Sequence, residues 1–135
     1  MKNNEVRNSL IILVWNEIEA IRKLYDRIPF VAADESIVID GGSTDGTVEF
    51  LASKGLPVYT QIKRGRGNAF LEGLKHSKGE NLVFFSGDGN EDPADIPKMF
   101  RYLNSNYDMV IAGRFIFRNS KSDDSDDSLK IRKLN

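Results

Sequence analysis

The apolar residues of this chain fall in five short runs, each ended by a polar or glycine-rich break. Ser9 to Trp15 (SLIILVW), Ser36 to Ile39, Pro57 to Ile62, Leu82 to Phe85 and Asp108 to Ala112 are the runs. Short apolar, β-branched runs bounded by turn residues predict buried strands. Between them the apolar positions recur at helical spacing. Ile18, Ile21, Leu24, Tyr25 and Ile28 predict a helix closed by Pro29, with Asn16 as its cap and Glu19 completing a capping box. Val48, Phe50 and Leu51 predict a second helix, ending near Gly55. Ala69, Phe70, Gly73 and Leu74 predict the apolar face of a third, ending at Gly79. Pro93 opens a fourth through Ile96, Met99, Phe100 and Leu103. Strands alternating with helices place the chain in the α/β class, as three α/β/α layers around a mainly parallel sheet. After Phe117 the sequence turns polar and blocky in charge, so residues 1–117 are expected to form the compact domain and 118–135 a flexible loop or tail.

Three of the breaks lie at predicted strand carboxyl ends: Asp40 to Asp45, Ser86 to Asp92, and Gly113 to Phe115. In a parallel sheet these ends share one edge, where ligands of open α/β sheets bind. Asp88, between Gly87 and Gly89, reads either as a carboxylate facing a metal-bound phosphate or as part of an ordinary strand-to-helix turn. Asp40, at a strand's last position before two glycines, reads either as an acceptor for a nucleobase or ribose or, with Ser43 and Asp45, as a maker of the turn; the first is favoured because a turn does not need an acid at the strand's last position. Asp45 reads better as a turn and helix-capping residue. Lys63-Arg64-Gly65-Arg66-Gly67-Asn68 is a basic glycine loop ahead of a helix. Such a loop binds phosphate through amides and the helix dipole, or is simply a solvated turn. It is neither a dinucleotide fingerprint nor a P-loop, since Phe70 stands where a third glycine would be needed and no Gly-Lys-Ser/Thr follows. Arg114 reads as a phosphate contact or a surface ion pair. Trp15 reads as packing or as a base-stacking ring, and His76 as a helix-end residue without catalytic duty.

Composition narrows the classes further. At 135 residues the chain is one domain. A formal charge of −1 gives no global electrostatic case for nucleic acid. The absence of cysteine excludes disulfides and thiolate metal sites. No stretch reaches the roughly 18 apolar residues of a membrane span, and the first residues lack the apolar centre of a signal peptide. The expected location is cytoplasmic, at most at the cytoplasmic face of a membrane, with membrane association only through segments outside this chain.

In their order and spacing these pieces resemble family-2 glycosyltransferases of the GT-A fold, most of all the dolichyl- or polyprenyl-phosphate sugar synthases. The resemblance runs from about Ser9 to Phe117. It is carried by the opening strand into Asn16-Glu17, VIDGGSTDGT around Asp40, RGRGNAFLEGL, LVFFSGDGNEDPADIPKM and DMVIAGRF. It implies transfer of a sugar, with inversion, from a UDP- or GDP-sugar to a lipid phosphate or glycan. Asp40, Gly42, Ser43, Arg66, Gly67 and Arg114 would bind the nucleotide, and Asp88 would be the catalytic, metal-holding carboxylate for Mg²⁺ or Mn²⁺. Two departures stand out. Ser86 replaces the first aspartate of the usual metal motif, with Glu91 or Asp92 as possible substitutes, and the usual Asp-Asp pair after the second strand is Asp40-Gly41. The chain is expected to stop after the nucleotide-binding half. The competing expectation is therefore a non-catalytic nucleotide-sugar or partner-binding module of the same fold. A sugar-nucleotide pyrophosphorylase is disfavoured, because Val14-Trp15-Asn16-Glu17 occupies the place of its basic glycine loop.

Overall fold

The computed structural model describes residues 5–112 and 129–132. Its elements in chain order are β1 (Asn8–Val14), α1 (Ile18–Leu24), β2 (Glu35–Asp40), α2 (Thr47–Ser53), β3 (Val58–Thr60), α3 (Arg66–His76), β4 (Asn81–Ser86), α4 (Asp95–Leu103), β5 (Met109–Ala112) and β6 (Leu129–Arg132). Four strands form one sheet in the order β3-β2-β1-β4, and every pairing in it is parallel. β1 is central, which is why its run is continuously apolar: Leu10, Ile11 and Ile12 are all fully buried.

The alternation along β1 separates the two layers. Leu10, Ile12 and Val14 join Ile21 and Leu24 of α1, Leu51 of α2, and Ile96 and Phe100 of α4 in the larger core. Ile11 packs with Ile37, Ile39 and Ala69 of α3 in a smaller core on the other face, with Leu13 and Phe84 against it. Removing each such aliphatic side chain from water contributes about 1.5–3 kcal/mol. The period-2 rule therefore sends odd-numbered side chains of β1 towards α3 and even-numbered ones towards α1, α2 and α4.

The register fixes the carboxyl edge. Val14 lies opposite Asp40, and Leu13 opposite Ser86. The Gly41 amide donates to the Val14 carbonyl (2.8 Å) and the Gly87 amide to the Leu13 carbonyl (2.9 Å). The two acidic turns thus leave the sheet on either side of the β1 end.

Four expectations change. The run Asp108 to Ala112 is not a strand of the parallel sheet: β5 pairs antiparallel with β6 in a separate two-stranded sheet. Only Val110 of β5 is buried, and a run of four apolar residues does not by itself distinguish an edge strand from a central one. β6 also places residues 129–132 in regular structure within the stretch expected to be a loop or tail. Helix α1 has no side-chain cap from Asn16, whose φ is 51°. The helix is replaced by a 3₁₀ turn at Tyr25–Arg27 before Pro29. In α3, Leu74 is exposed, and the buried face consists of Ala69 and Gly73. Among the described residues no helix is long and apolar enough to cross a membrane.

Candidate functional site

The ends of β1, β2 and β4, together with the loop after β3, enclose a crevice of about 390 Å³. Its polar and aromatic wall is Trp15, Glu17, Gln61, Arg64, Arg66, Ser86 and Asp88. A more open groove of about 660 Å³ runs along α1 past Lys23 and Arg27 and shares Glu17 with the crevice. The crevice is the better candidate, because it gathers strand ends and cations from four separate segments at the edge where parallel sheets bind ligands.

Trp15 follows the odd-numbered positions of β1 and so projects to the α3 side. It is 59% exposed, unusual for a tryptophan at the end of a buried strand. Gly41 gives it room, since a β-carbon there would sit a tight 3.1 Å from Trp15 Cβ. The basic loop lines the same crevice. Gly65, at φ 107°, turns the chain into α3 as its N-terminal flanking residue. Arg64 and Arg66 are exposed on either side of it.

Asp40 behaves otherwise. Its side chain follows the even-numbered parity of Val38, away from the crevice, and the residue is only 1% exposed. Its Oδ2 accepts from the Gly42 amide (3.0 Å), both oxygens accept from the Ser43 amide (3.1 Å), and Oδ1 accepts from the Ser43 hydroxyl (2.5 Å). The expected contact to a base or ribose meets a carboxylate already filled by its own turn. Gly42 and Ser43 are those donors and do not line the crevice. Ser43 Oγ in turn accepts from the Asn16 amide (2.8 Å), and the Asn16 side chain accepts from the Thr44 amide (2.8 Å). The two loops are therefore stitched together. Asp45 extends the stitching by accepting from the Ile18 amide (3.1 Å) at the start of α1 and the Thr47 amide (3.0 Å) at the start of α2. Asp45 is exposed; partial desolvation by its neighbours raises the carboxyl, but the hydrogen bonds from Thr47 and Ile18 together outweigh it and hold the group below the usual carboxylate range. This is the capping role expected of Asp45, extended to a second helix.

Asp88 is half-exposed on the crevice wall, with Oδ1 accepting from the Asn90 amide (2.9 Å). Gly87 beside it is needed for packing and not for ligand approach: a β-carbon would lie 2.8 Å from Val14 Cγ1. Glu91 reaches back so that Oε1 accepts from the Ser86 amide (3.0 Å), which brings a second carboxylate to the motif. Asp92 instead caps the following turn through the Ala94 amide (2.9 Å) and lies 4.0 Å from Arg27. Glu17 is raised above the usual carboxylate range by burial first, then by the negative charges of Asp88 and Asp45. Among the described residues no group of three acidic or histidine side chains is gathered in metal-binding geometry. A hard cation carried by a diphosphate needs less, since Mg²⁺ commonly takes one or two carboxylates and completes its shell with phosphate and water. Asp88, with acidic neighbours in electrostatic reach, fits that arrangement.

Of the expected site residues, the structure brings Arg66 and Asp88 together in the crevice. Asp40, Gly42 and Ser43 do not line it, and Gly67 is exposed in the first turn of α3. Arg114 lies outside the described residues. Glu17, Gln61 and Arg64 complete the wall. Glu17 belongs to the Asn16-Glu17 pair at the end of the opening strand, which by itself assigns it no role; Gln61 carries no local motif, and only the strand register could have found it. His76 stays at the end of α3, stacked on Tyr59 (centroids 3.8 Å apart) and 3.2 Å from Glu72.

With that geometry in place, residues 9–133 match the profile described as Glycosyl transferase family 2. Glycosyltransferase AglJ of Haloferax volcanii is 35% identical over 102 residues, which is 75% of this chain and 34% of that protein. The undecaprenyl-phosphate 4-deoxy-4-formamido-L-arabinose transferase of Edwardsiella ictaluri is 27% identical over 115 residues, 76% of this chain and 35% of that protein. The chain thus spans about a third of the length of these two relatives. Among solved structures, glucosyl-3-phosphoglycerate synthase of Mycobacterium tuberculosis with Mn²⁺, UDP and phosphoglyceric acid superposes with a TM-score of 0.68. Its identity is 27%, over 78% of this chain and 42% of that one. The same enzyme with Mn²⁺ and UDP-glucose gives 0.60 at 30% identity, over 68% and 37%. The described α/β/α architecture is that of the GT-A glycosyltransferases.

Proposed function

This chain belongs to glycosyl transferase family 2, and on that footing we propose that it forms the donor site of a sugar transferase that takes a nucleoside-diphosphate sugar, UDP-linked before GDP-linked. The carrying observation is the crevice in which the exposed Trp15, the cations Arg64 and Arg66, and the carboxylate Asp88 meet at the carboxyl edge of the sheet. Trp15 offers its face to the base. Arg64 and Arg66 offer planar forks to the diphosphate, and the first-turn amides of α3, Gly67 among them, face the same charge. Asp88 would hold a divalent cation, Mg²⁺ or Mn²⁺, which when bound offsets charge on the departing diphosphate. Asp40, with Gly42 and Ser43, acts by shaping the wall that Gly41 and Trp15 present. Arg114 is proposed as a further phosphate contact.

The reaction is a displacement at the anomeric carbon. An acceptor oxygen forms the new bond from the face opposite the diphosphate, the bond to the diphosphate oxygen breaks, and the configuration inverts. The relatives named for undecaprenyl phosphate support a lipid phosphate as acceptor over a glycan hydroxyl. A phosphate oxygen is already nucleophilic and needs no strong general base, whereas a hydroxyl would. The reacting site is proposed to lie at the cytoplasmic face of a membrane, with 1–117 as the donor domain.

Ser86 in place of an acid favours a second reading, a nucleotide-sugar-binding module without turnover. Calorimetry with UDP, GDP and their sugars, in Mn²⁺ and in chelator, separates the cases. Metal-dependent binding of one nucleotide supports the donor site. Metal-independent binding supports the module, and no binding in any condition refutes both.

A further inference from the structure

Gln61 lies one residue beyond β3, and its side chain is the tie between the sheet and the basic loop. Its backbone amide donates to the Asp40 carbonyl (2.8 Å), which continues the β2–β3 ladder past the end of β3. Its Nε2 donates to two loop carbonyls, those of Lys63 (3.0 Å) and Gly65 (3.0 Å). Its Oε1 lies 3.4 Å from where a Gly41 β-carbon would be, so the amide plane stands against the same glycine that admits Trp15. Within the loop, Asn68 Nδ2 donates to the Arg64 carbonyl (2.8 Å), and the Ala69 amide to Gly65 (3.1 Å). Those bonds join the loop to its own helix. Gln61 joins it to the strand edge.

The loop needs such a tie. Residues 62–67 are exposed, Gly65 carries a φ of 107°, and three of the six residues are cations that repel one another. Few apolar contacts and a glycine hinge describe a segment of low local stability. Arg64 and Arg66 flank the Gly65 carbonyl that Gln61 holds, so the side-chain amide fixes the stretch of backbone from which both guanidiniums extend.

We propose that Gln61 is a positioning residue: it fixes the Lys63–Gly65 carbonyls so that Arg64 and Arg66 face the donor's diphosphate, and it does not itself touch the nucleotide. This rests on the donor-site reading for its consequence, but not for the fixing of the loop. The test uses the full chain and Gln61→Met, which keeps the length and removes both donors, alongside Gln61→Glu, which turns an acceptor towards two carbonyls.

Trypsin reads the loop directly, because Lys63, Arg64 and Arg66 are its sites, and Lys54 at the end of α2 serves as the reference. Both variants are expected to be cut in the loop at least about five times faster relative to Lys54, in the absence of nucleotide. An unchanged ratio, or a parallel rise at Lys54 from general unfolding, overturns the proposal. Calorimetry with UDP and Mn²⁺ reads the consequence. Loss of two hydrogen bonds that hold the loop is expected to weaken binding about tenfold. In an Arg64→Ala/Arg66→Ala background the same Gln61 substitutions are expected to cost less than about twofold. A full, additive penalty in that background shows direct contact and overturns the positioning role. If the unsubstituted chain binds no nucleotide, the donor-site reading fails, and the trypsin ratio alone decides whether Gln61 fixes the loop.

Discussion

Two acidic turns leave the same sheet edge within one residue of each other in register, and they are built for opposite purposes. The Asp40 turn is closed: a buried carboxylate takes every hydrogen bond from its own loop, which stitches to Asn16 and so to α1. The Asp88 turn is open: a half-exposed carboxylate takes one amide and faces Glu17, a like charge. A satisfied buried carboxylate organises structure, whereas one beside another acid keeps an unfavourable interaction that a cation can relieve. The same residue type near the ends of β2 and β4 is thus satisfied by its own loop in one place and, in the other, left half-exposed beside a like charge, as the proposed cation site requires.

The division can be broken most sharply at Asp88. Asp88→Ala is expected to weaken Mn²⁺-dependent UDP binding at least about a hundredfold, the loss of a charged contact at about 1.4 kcal/mol per decade. Folding stability should stay within about 0.5 kcal/mol, as for a surface change. Calorimetry and urea unfolding measure the pair. Asp40→Ala should do the reverse first: it strands the Gly42 and Ser43 donors and costs about 1–3 kcal/mol in urea unfolding. Any loss of binding should follow that loss of order. A stable Asp40→Ala chain with selectively lost UDP binding would erase the distinction.

Acid offers a smaller effect. Asp45 and Asp34 are both held below the usual carboxylate range. Asp45 is held there by Thr47 and Ile18 against a partial desolvation, and Asp34 chiefly by the amides of Asn8 and Arg7. A carboxyl lowered in the fold stabilises fully above its unfolded value, and that contribution is lost as pH falls through the folded value. Stability measured by urea unfolding should therefore decline on the acid side of the ordinary carboxylate range. Asp45→Asn should flatten that decline while leaving UDP binding in place.

Glu17 has the opposite sign. Its raised value costs stability once pH exceeds it, and the cost is relieved as pH falls. Glu17→Gln should therefore stabilise the nucleotide-free chain slightly at neutral pH, by less than about 0.5 kcal/mol, while weakening Mn²⁺ binding. A thermal melt with and without Mn²⁺ reads both.

Much of this architecture was legible in the residues. The continuous apolar run of β1 spoke for a central strand, and β1, β2 and β4 all appear within a residue or two of their expected limits. The edge where the turns converge followed from the parallel arrangement. What the pattern could not supply was the direction in which each turn residue points. Asp40 looked like a ligand residue because it ends a strand before two glycines, but strand parity turns it from the crevice, and Gly42 and Ser43 consume its oxygens. Trp15 looked ambiguous because nothing in the sequence says that Gly41 lies beside it. β5 was assigned to the main sheet because a short apolar run reads the same in an antiparallel pair. Gln61 was invisible, since its partners are backbone carbonyls, which carry no residue signature.

Trp15 is the only tryptophan of the chain, so it reports on the crevice without labelling. A fluorescence titration with UDP in Mn²⁺ tests the central claim most directly. The account predicts saturable quenching that chelator and Asp88→Ala both abolish and that Asp45→Asn leaves intact. Emission that stays unchanged at saturating UDP, with and without Mn²⁺, would contradict a donor site built from Trp15, the basic loop and Asp88.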